Sequence, residues 1–300
     1  MPHYATPLDF RKALEARLRN EAQNSYMSLD RLRQLIVFDR FITRIFSVFG
    51  DQCILKGGVV VEFRLGGART TKDIDLRLSG SPDAVLSKLQ QAGRLELGDF
   101  LSFEVVLDPK HPDLEAEGMA YKGMRFQVEP KLAGKLYGNR FKVDVGFADA
   151  LEGEADEISG SSFLSFADIE PSTFRVYPIE THIAEKLHAY TLPRKRENSR
   201  IKDLPDIALL ASVRNIDAQT LLRALRKTFD HRNTHPLPVS IPDPPTFWVP
   251  RYTTLAEEDH LPWHNLDELL AAVRQFLEPM LTDASGTWNP QSWSWKTRNE

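Results

Sequence analysis

The chain has 300 residues, enough for one large domain or two small ones with a real core. Its 42% hydrophobic and 27% charged residues are ordinary for a globular protein in water, and a formal charge of −4 excludes a generally basic nucleic-acid coat, so any such binding needs a local patch. The single cysteine, Cys53, excludes an internal disulfide and a cysteine-based zinc site; there is no apolar run of about 18 residues and no signal pattern at Met1–Asn20, so no membrane partner and a cytoplasmic location are expected.

Leu8 to Asn20 reads as a polar helix with little apolar face. Ser28 caps a stronger one, in which Leu29, Leu32, Leu35, Ile36, Phe38, Phe41, Ile42, Ile45, Phe46 and Phe49 recur at helical spacing up to the stop at Gly50. Cys53-Ile54-Leu55 then leads into Lys56-Gly57-Gly58, with Cys53 read as a small buried hydrophobe. After a second glycine pair and a basic polar link come Asp73-Ile74-Asp75-Leu76, so the stretch predicts strand, glycine turn, short helix, loop, strand. On a strand, Asp73 and Asp75 share one face with Cα atoms about 6.7 Å apart, while Ile74 and Leu76 face the core. Carboxylates at that spacing can share a divalent ion or bracket two, as phosphoryl-type transfer requires. The glycines permit positive φ and a close backbone approach to a phosphate. Taken singly, Asp-x-Asp is an ordinary solvated strand face and Gly-Gly an ordinary turn; their order is what points to chemistry.

Ser81-Pro82 opens a predicted helix through Gln91, stopped by Gly93. Phe100–Leu107, Tyr121–Glu129 and Phe141–Phe147 read as strands, the last two around the turn Tyr137-Gly138-Asn139-Arg140. Between the first two lies a loop, Asp108 to Gly118, whose His111 and Asp113 fit a solvated loop better than a metal site. In the last strand Phe141, Val143, Val145 and Phe147 form one face and Lys142, Asp144 and Gly146 the other, which leaves Asp144 either a solvent-facing acid or a third carboxylate. The acidic, glycine-bearing Leu151–Gly160 suggests a boundary between a sheet-bearing unit with N-terminal helices, 1–155, and a mainly helical one, 156–300.

The second half opens with a helix through Glu180-Thr181-His182-Ile183-Ala184-Glu185-Lys186-Leu187-His188-Ala189-Tyr190, ending near Pro193. The loop Arg194–Arg200 carries four positive charges in seven residues and suits either solvent or nucleic-acid phosphate; Lys202-Asp203-Leu204-Pro205-Asp206 follows. Asp217 caps a helix to Phe229, 231–250 is a Pro- and His-rich connector, and Asn265–Leu281 is a last amphipathic helix. The aromatic tail, Trp288 to Glu300, either docks on the body or stays disordered.

Two of these stretches together resemble the AbiEii/AbiGii abortive-infection toxins, including the MenT-type toxins, within the nucleotidyltransferase superfamily. That family reads Lys-Gly-Gly, a short helix, then Arg-x-Ser-x-Asp-hydrophobic-Asp; here it reads Lys56-Gly57-Gly58 and Arg69-Thr70-Thr71-Lys72-Asp73-Ile74-Asp75. Thr71 replaces the usual Ser and keeps the hydroxyl, while Gly58 replaces the Ser of the wider superfamily, leaving only a backbone N–H there. The second signature, Glu-x-x-x-Ala-Glu-Lys-Leu-x-Ala, a basic loop and Arg/Lys-Asp-x-x-Asp-Leu, corresponds to the helix around Lys186 and to Asp203 and Asp206.

The resemblance implies an α+β fold: a mixed nucleotidyltransferase-type sheet followed by a mostly helical domain, with the active site between them. It implies Mg²⁺-dependent transfer of a nucleoside monophosphate from an NTP to an RNA acceptor, most naturally the tRNA 3′ end, and a cognate antitoxin protein. Asp73 and Asp75 would hold metal, and Asp144 would complete the site or act as base. Lys56, Gly57, Gly58, Arg69 and Thr71 would meet the nucleotide. Lys186 would neutralise the triphosphate, oriented by Asp203 or Asp206; without the motif it would read as a helix-surface lysine. Two other functions use the same residues: modification of a small molecule or protein side chain, and a non-catalytic NTP-binding module.

Overall fold

A computed structural model describes residues 4–66, 70–114, 123–147, 151–195, 197–282 and 285–296. The expectations placed on Arg69, Tyr121 and Arg196, and on the last four residues of the tail, fall outside these. Two helices open the chain. In α1 (Pro7–Asn24) the Thr6 hydroxyl accepts from the Asp9 N–H, and in α2 (Leu29–Phe49) Ser28 does the same for Arg31. Gly50, at φ 52°, ends α2 as expected. The first helix is less polar than its sequence suggests: Phe10, Leu14 and Leu18, spaced by four, form a buried stripe against α2.

The sheet is built from β1 (Cys53–Lys56), β2 (Asp73–Leu78), β3 (Leu101–Leu107), β4 (Asp113–Leu114), β5 (Gly123–Leu132), β6 (Lys135–Leu136), β7 (Phe141–Gly146), β8 (Asp156–Ser159) and β9 (Thr173–Val176). Its strand order is β3-β5-β7-β2-β1-β9-β8, with β4 and β6 paired to β5. It is mixed: β2 and β7 run parallel, as do β1 and β9, while β1–β2, β5–β7 and β3–β5 are antiparallel. Apolar residues on alternate positions, among them Ile74, Leu76, Val143, Val145, Phe126 and Val128, are fully buried beneath it. β8 and β9 continue the sheet past residue 155, so Phe174 and Val176 belong to the sheet's core, whereas Ile179 opens a second apolar cluster.

Short α3 (Gly58–Arg64) links β1 to the loop before β2, and α4 (Val85–Arg94) packs on β3. Here the expectation needs correction at both ends. Ser81 and Asp83 form a local turn instead of a cap, with the Asp83 N–H donating to the Ser81 hydroxyl. Gly93 lies inside the helix, where a Cβ would come 2.2 Å from the Phe103 carbonyl oxygen; it serves close helix–strand approach, not termination.

The second cluster gathers α5 (Ile179–Thr191), α6 (Asp203–Ala211), α7 (Ala218–Arg232), α8 (Trp248–Glu258) and α9 (Leu266–Leu281). Part of the expected connector is therefore ordered: Ile241 is buried and Trp248 begins α8. The tail docks. β11 (Thr287–Asn289) pairs with β10 (Ile216–Asp217) and with β12 (Ser294–Lys296), and Trp288 and Trp295 pack on Phe276. Among the described residues no helix is long and apolar enough to cross a membrane.

Candidate active site

Strand register builds the floor of one cleft. Lys56 on β1 stands opposite Asp75 on β2, Asp75 opposite Asp144 on β7, and Asp144 opposite Arg125 on β5. Four strands thus carry a row of charges ordered plus, minus, minus, plus, and Asp73 extends it two residues along β2. The cleft, about 510 Å³, is also lined by Gly57, Gly58, Thr71, Lys186 and Asp203, so every predicted site residue among those described meets there except Asp206, which sits immediately behind.

Gly57 explains the glycine turn. It has φ 71°, and a Cβ on it would lie 1.9 Å from the Asp75 Oδ2. A side chain here would both strain the backbone and collide with the central carboxylate.

The acids are not equally satisfied. Burial, then the neighbouring Asp144, raise the Asp75 carboxyl to about 6, although Lys56 and Lys186 pull it down. Asp73 is raised by the same two causes in the same order. Asp144 differs: the Arg125 Nε and Nη2 donate to its two oxygens at 2.7 and 2.6 Å, a bidentate pair that raises the arginine's own pKa further. Crowded carboxylates with raised proton affinity are the donor set a hard divalent cation relieves, so Asp73 and Asp75 fit such an ion. Each Asp144 oxygen is already committed to one arginine N–H in this arrangement, and no three His, Cys, Asp or Glu side chains among the described residues form a metal-ligating group.

The opposite wall comes from the helices. The Lys186 Nζ meets the Asp203 Oδ1 at 3.0 Å and the Asp206 Oδ2 at 2.7 Å, so both candidate acids hold it. The two acids sit differently: Asp206 is fully buried, while Asp203 lines the cleft and keeps a buried Oδ2 with no hydrogen-bond partner among the described residues. One turn before Lys186, His182 is buried against the cleft with neither ring nitrogen hydrogen-bonded among those residues. Burial, then Lys186, push its pKa well below the ordinary imidazole value. Glu185 faces Lys56 at 3.8 Å and Arg232 at 3.0 Å.

Sequence reasoning missed Arg125, His182 and the support of the Thr71 loop. The Thr71 N–H donates to Glu62, which the Arg31 Nε also bonds, and the Thr70 N–H and hydroxyl both donate to Asp259 just after α8. The Thr71 hydroxyl donates to the Asp73 carbonyl. Alternation in β5 places Arg125 on one face with Gln127, but nothing local says that this face adjoins Asp144.

Comparison with known proteins bears on the fold and the family. A solved structure of MenT4, a nucleotidyltransferase toxin from Mycobacterium tuberculosis, superposes with a TM-score of 0.60 at 19% identity, covering 93% of this chain and 92% of that one. A protein from H. pylori described as a nucleotidyltransferase gives 0.45 at 16% identity over 85% of this chain and 98% of that one. JHP933 from Helicobacter pylori gives 0.42 at 16% over 83% and 91%; both scores are too low to bear on the assignment. No curated protein matches the sequence. The profile of the nucleotidyl transferase AbiEii toxin family, of type IV toxin–antitoxin systems, matches residues 40–296, from within α2 to the end of β12. Because that profile spans most of the chain, the chain belongs to the AbiEii nucleotidyltransferase toxin family.

Proposed function

We propose that this cleft transfers a nucleoside monophosphate from an NTP to a hydroxyl of an RNA acceptor, the tRNA 3′ end in the first instance. The observation that carries the reading is the convergence of the Asp73–Asp75 pair, from the sheet, with the Asp203- and Asp206-held Lys186, from the helices, across one cleft. The acceptor oxygen attacks the α-phosphorus, the bond from that phosphorus to the β-bridging oxygen breaks, pyrophosphate leaves, and the hydroxyl proton passes to solvent. A divalent ion, Mg²⁺ in the cell, would be held by Asp73 and Asp75 and would supply charge stabilisation at the phosphates.

Lys186 offers a cation to the departing pyrophosphate, fixed in place by two carboxylates so that no reorganisation is needed when charge develops. Lys56 lies on the far side of Asp75, and Gly57 lets that carboxylate stand against the backbone. Thr71 acts through its ties to Glu62 and to the Asp73 carbonyl, which set the loop that delivers Asp73. Lys72, Arg194, Arg200, Lys202 and Arg232 also line the cleft, and their charge suits the phosphates of a polynucleotide acceptor. Such an activity belongs in the cytoplasm, where blocking tRNA ends stops translation, and calls for an antitoxin partner.

The test is incubation with Mg²⁺, each α-labelled NTP in turn and total tRNA, beside Asp75→Ala. Label in tRNA with the unmutated protein alone supports the reading. Label on the protein or on a small molecule replaces the acceptor, and NTP binding without any transfer replaces the enzyme by a binding module.

A further inference from the structure

A three-carboxylate, two-ion site does not use the Arg125–Asp144 pair on the cleft floor. Both nitrogens of the pair sit within hydrogen-bond distance of separate Asp144 oxygens, so the contact is a planar fork and not a passing ion pair. The Arg125 side chain is only 26% exposed and that of Asp144 18%, which limits competition from water. Arg125 is also fixed by its backbone: its N–H donates to the Pro112 carbonyl at 2.8 Å and its carbonyl accepts from the Asp108 N–H at 2.9 Å. Both ends of the fork are thus carried by adjacent, hydrogen-bonded strands.

We propose that Arg125 stands in for a second divalent ion, so that the site binds one ion, on Asp73 and Asp75, and uses Asp144 to position the guanidinium instead of ligating metal. The proposal rests on the reading of the cleft as a metal-dependent nucleotidyltransferase site. Its charge logic is direct. Asp75 and Asp144 are neighbours across the β2–β7 pairing, and their repulsion needs a cation on each side. On the Asp144 side that cation is the bidentate Arg125, which stays charged at any working pH; on the other side Lys56 and Lys186 offset Asp75 only in part, since its carboxyl remains raised, and the Asp73–Asp75 pair is left to an ion from solution. An ion approaching Asp144 would have to compete with two charge-assisted hydrogen bonds and meet the positive charge of the guanidinium beside it.

The test counts ions directly. Mn²⁺ is titrated into the full-length protein, and the unbound ion is followed by electron paramagnetic resonance. One Mn²⁺ per chain is expected for the wild type, at least about tenfold weaker binding for Asp75→Ala, and affinity within about threefold of wild type for Asp144→Ala. Arg125→Gln, which frees the Asp144 oxygens, is expected to gain a second Mn²⁺. If Asp144→Ala weakens Mn²⁺ as much as Asp75→Ala does, or if the wild type binds two ions, the proposal fails while the metal-dependent reading stands. Absence of Mn²⁺ binding in every protein overturns both. Should Arg125→Gln not fold, the comparison of Asp144→Ala with Asp75→Ala decides alone.

Discussion

Asp99 and Asp75 are both carboxylates sunk into the same unit, and the protein treats them in opposite ways. Asp99 is fully buried and accepts from the Arg40 Nε, both terminal nitrogens of Arg44 and the Leu101 N–H. Arg44 directs its remaining donors to the carbonyls of Leu95, Arg40 and Leu101, so nothing in that cluster is left wanting. Burial alone would raise the Asp99 pKa, but the two guanidiniums outweigh it and hold it below the ordinary carboxylate range. Asp75 has a second carboxylate as its strand neighbour, and its pKa rises to about 6. Among the described residues no hydrogen bond offsets this. Asp99 is a satisfied buried charge and is architecture; Asp75, partly exposed at the cleft and kept beside a glycine that makes room for it, is placed where a ligand can reach it.

That contrast predicts opposite signs for similar substitutions. Asp75→Asn should abolish transfer, by about 10³-fold or more, while leaving the fold as stable as before or more so. Asp99→Asn should do the reverse: it leaves Arg44 buried against a neutral partner and costs about 3–5 kcal/mol, a large part of a domain's total stability. Chemical denaturation and label transfer on the same preparations check both. If Asp75→Asn destabilises as strongly as Asp99→Asn, the two carboxylates are alike and the comparison is broken.

Lys186 sharpens it, because it belongs to both kinds. Removing it as Lys186→Met should lower transfer about 10²–10³-fold. It should also destabilise, since Asp203 and Asp206 would be left as neighbouring buried acids. Restoring stability but not transfer with the double variant Lys186→Met, Asp206→Asn would separate the two roles. Gly57→Ala comes next in size. Its positive φ costs about 1 kcal/mol and the collision with Asp75 more, so transfer should fall by about 10²-fold through displacement of that carboxylate. Retained transfer in Gly57→Ala would show that the Asp75 position tolerates movement.

How much of the fold and the site is legible in the sequence follows the range of each interaction. Period-2 alternation places Asp73, Asp75 and Asp144 on polar strand faces, because side-chain direction is a local property. The caps at Ser28 and Asp217 are local too, and both form. What fails needs a partner strand or helix. Gly93 reads as a stop until Phe103 is seen against it, and Ser81-Pro82 reads as a cap until its turn is seen. Arg125 reads as an ordinary strand arginine, since a period of two names the face and never the neighbour. The Glu62–Arg31 support of Thr71 joins residues 31 positions apart, beyond any local motif.

The smallest effect is in the pH dependence of stability, where the sign separates the two acids most cleanly. Asp75 has an ordinary value of 3.8 and a folded one of about 6, so between those values the folded chain keeps a proton that the unfolded chain has lost. Stability contributed here therefore falls as pH rises from about 4 to about 6 and stays lower above, by at most about 3 kcal/mol. For Asp99 the direction reverses: its contribution is full above the ordinary carboxylate range and is lost as pH falls through its lowered folded value. Asp75→Asn should then match the wild type near pH 4 and exceed it above pH 6, with part of the slope surviving because buried Asp39 is also raised to about 6. Added Mg²⁺ should close the gap in the wild type above pH 6 and leave Asp75→Asn unmoved, since an ion on Asp73 and Asp75 relieves the same repulsion that the substitution removes. Parallel melting profiles for the two proteins across pH 4–8, with or without Mg²⁺, would mean that the Asp75 carboxylate is already satisfied within the fold and has no ion to wait for.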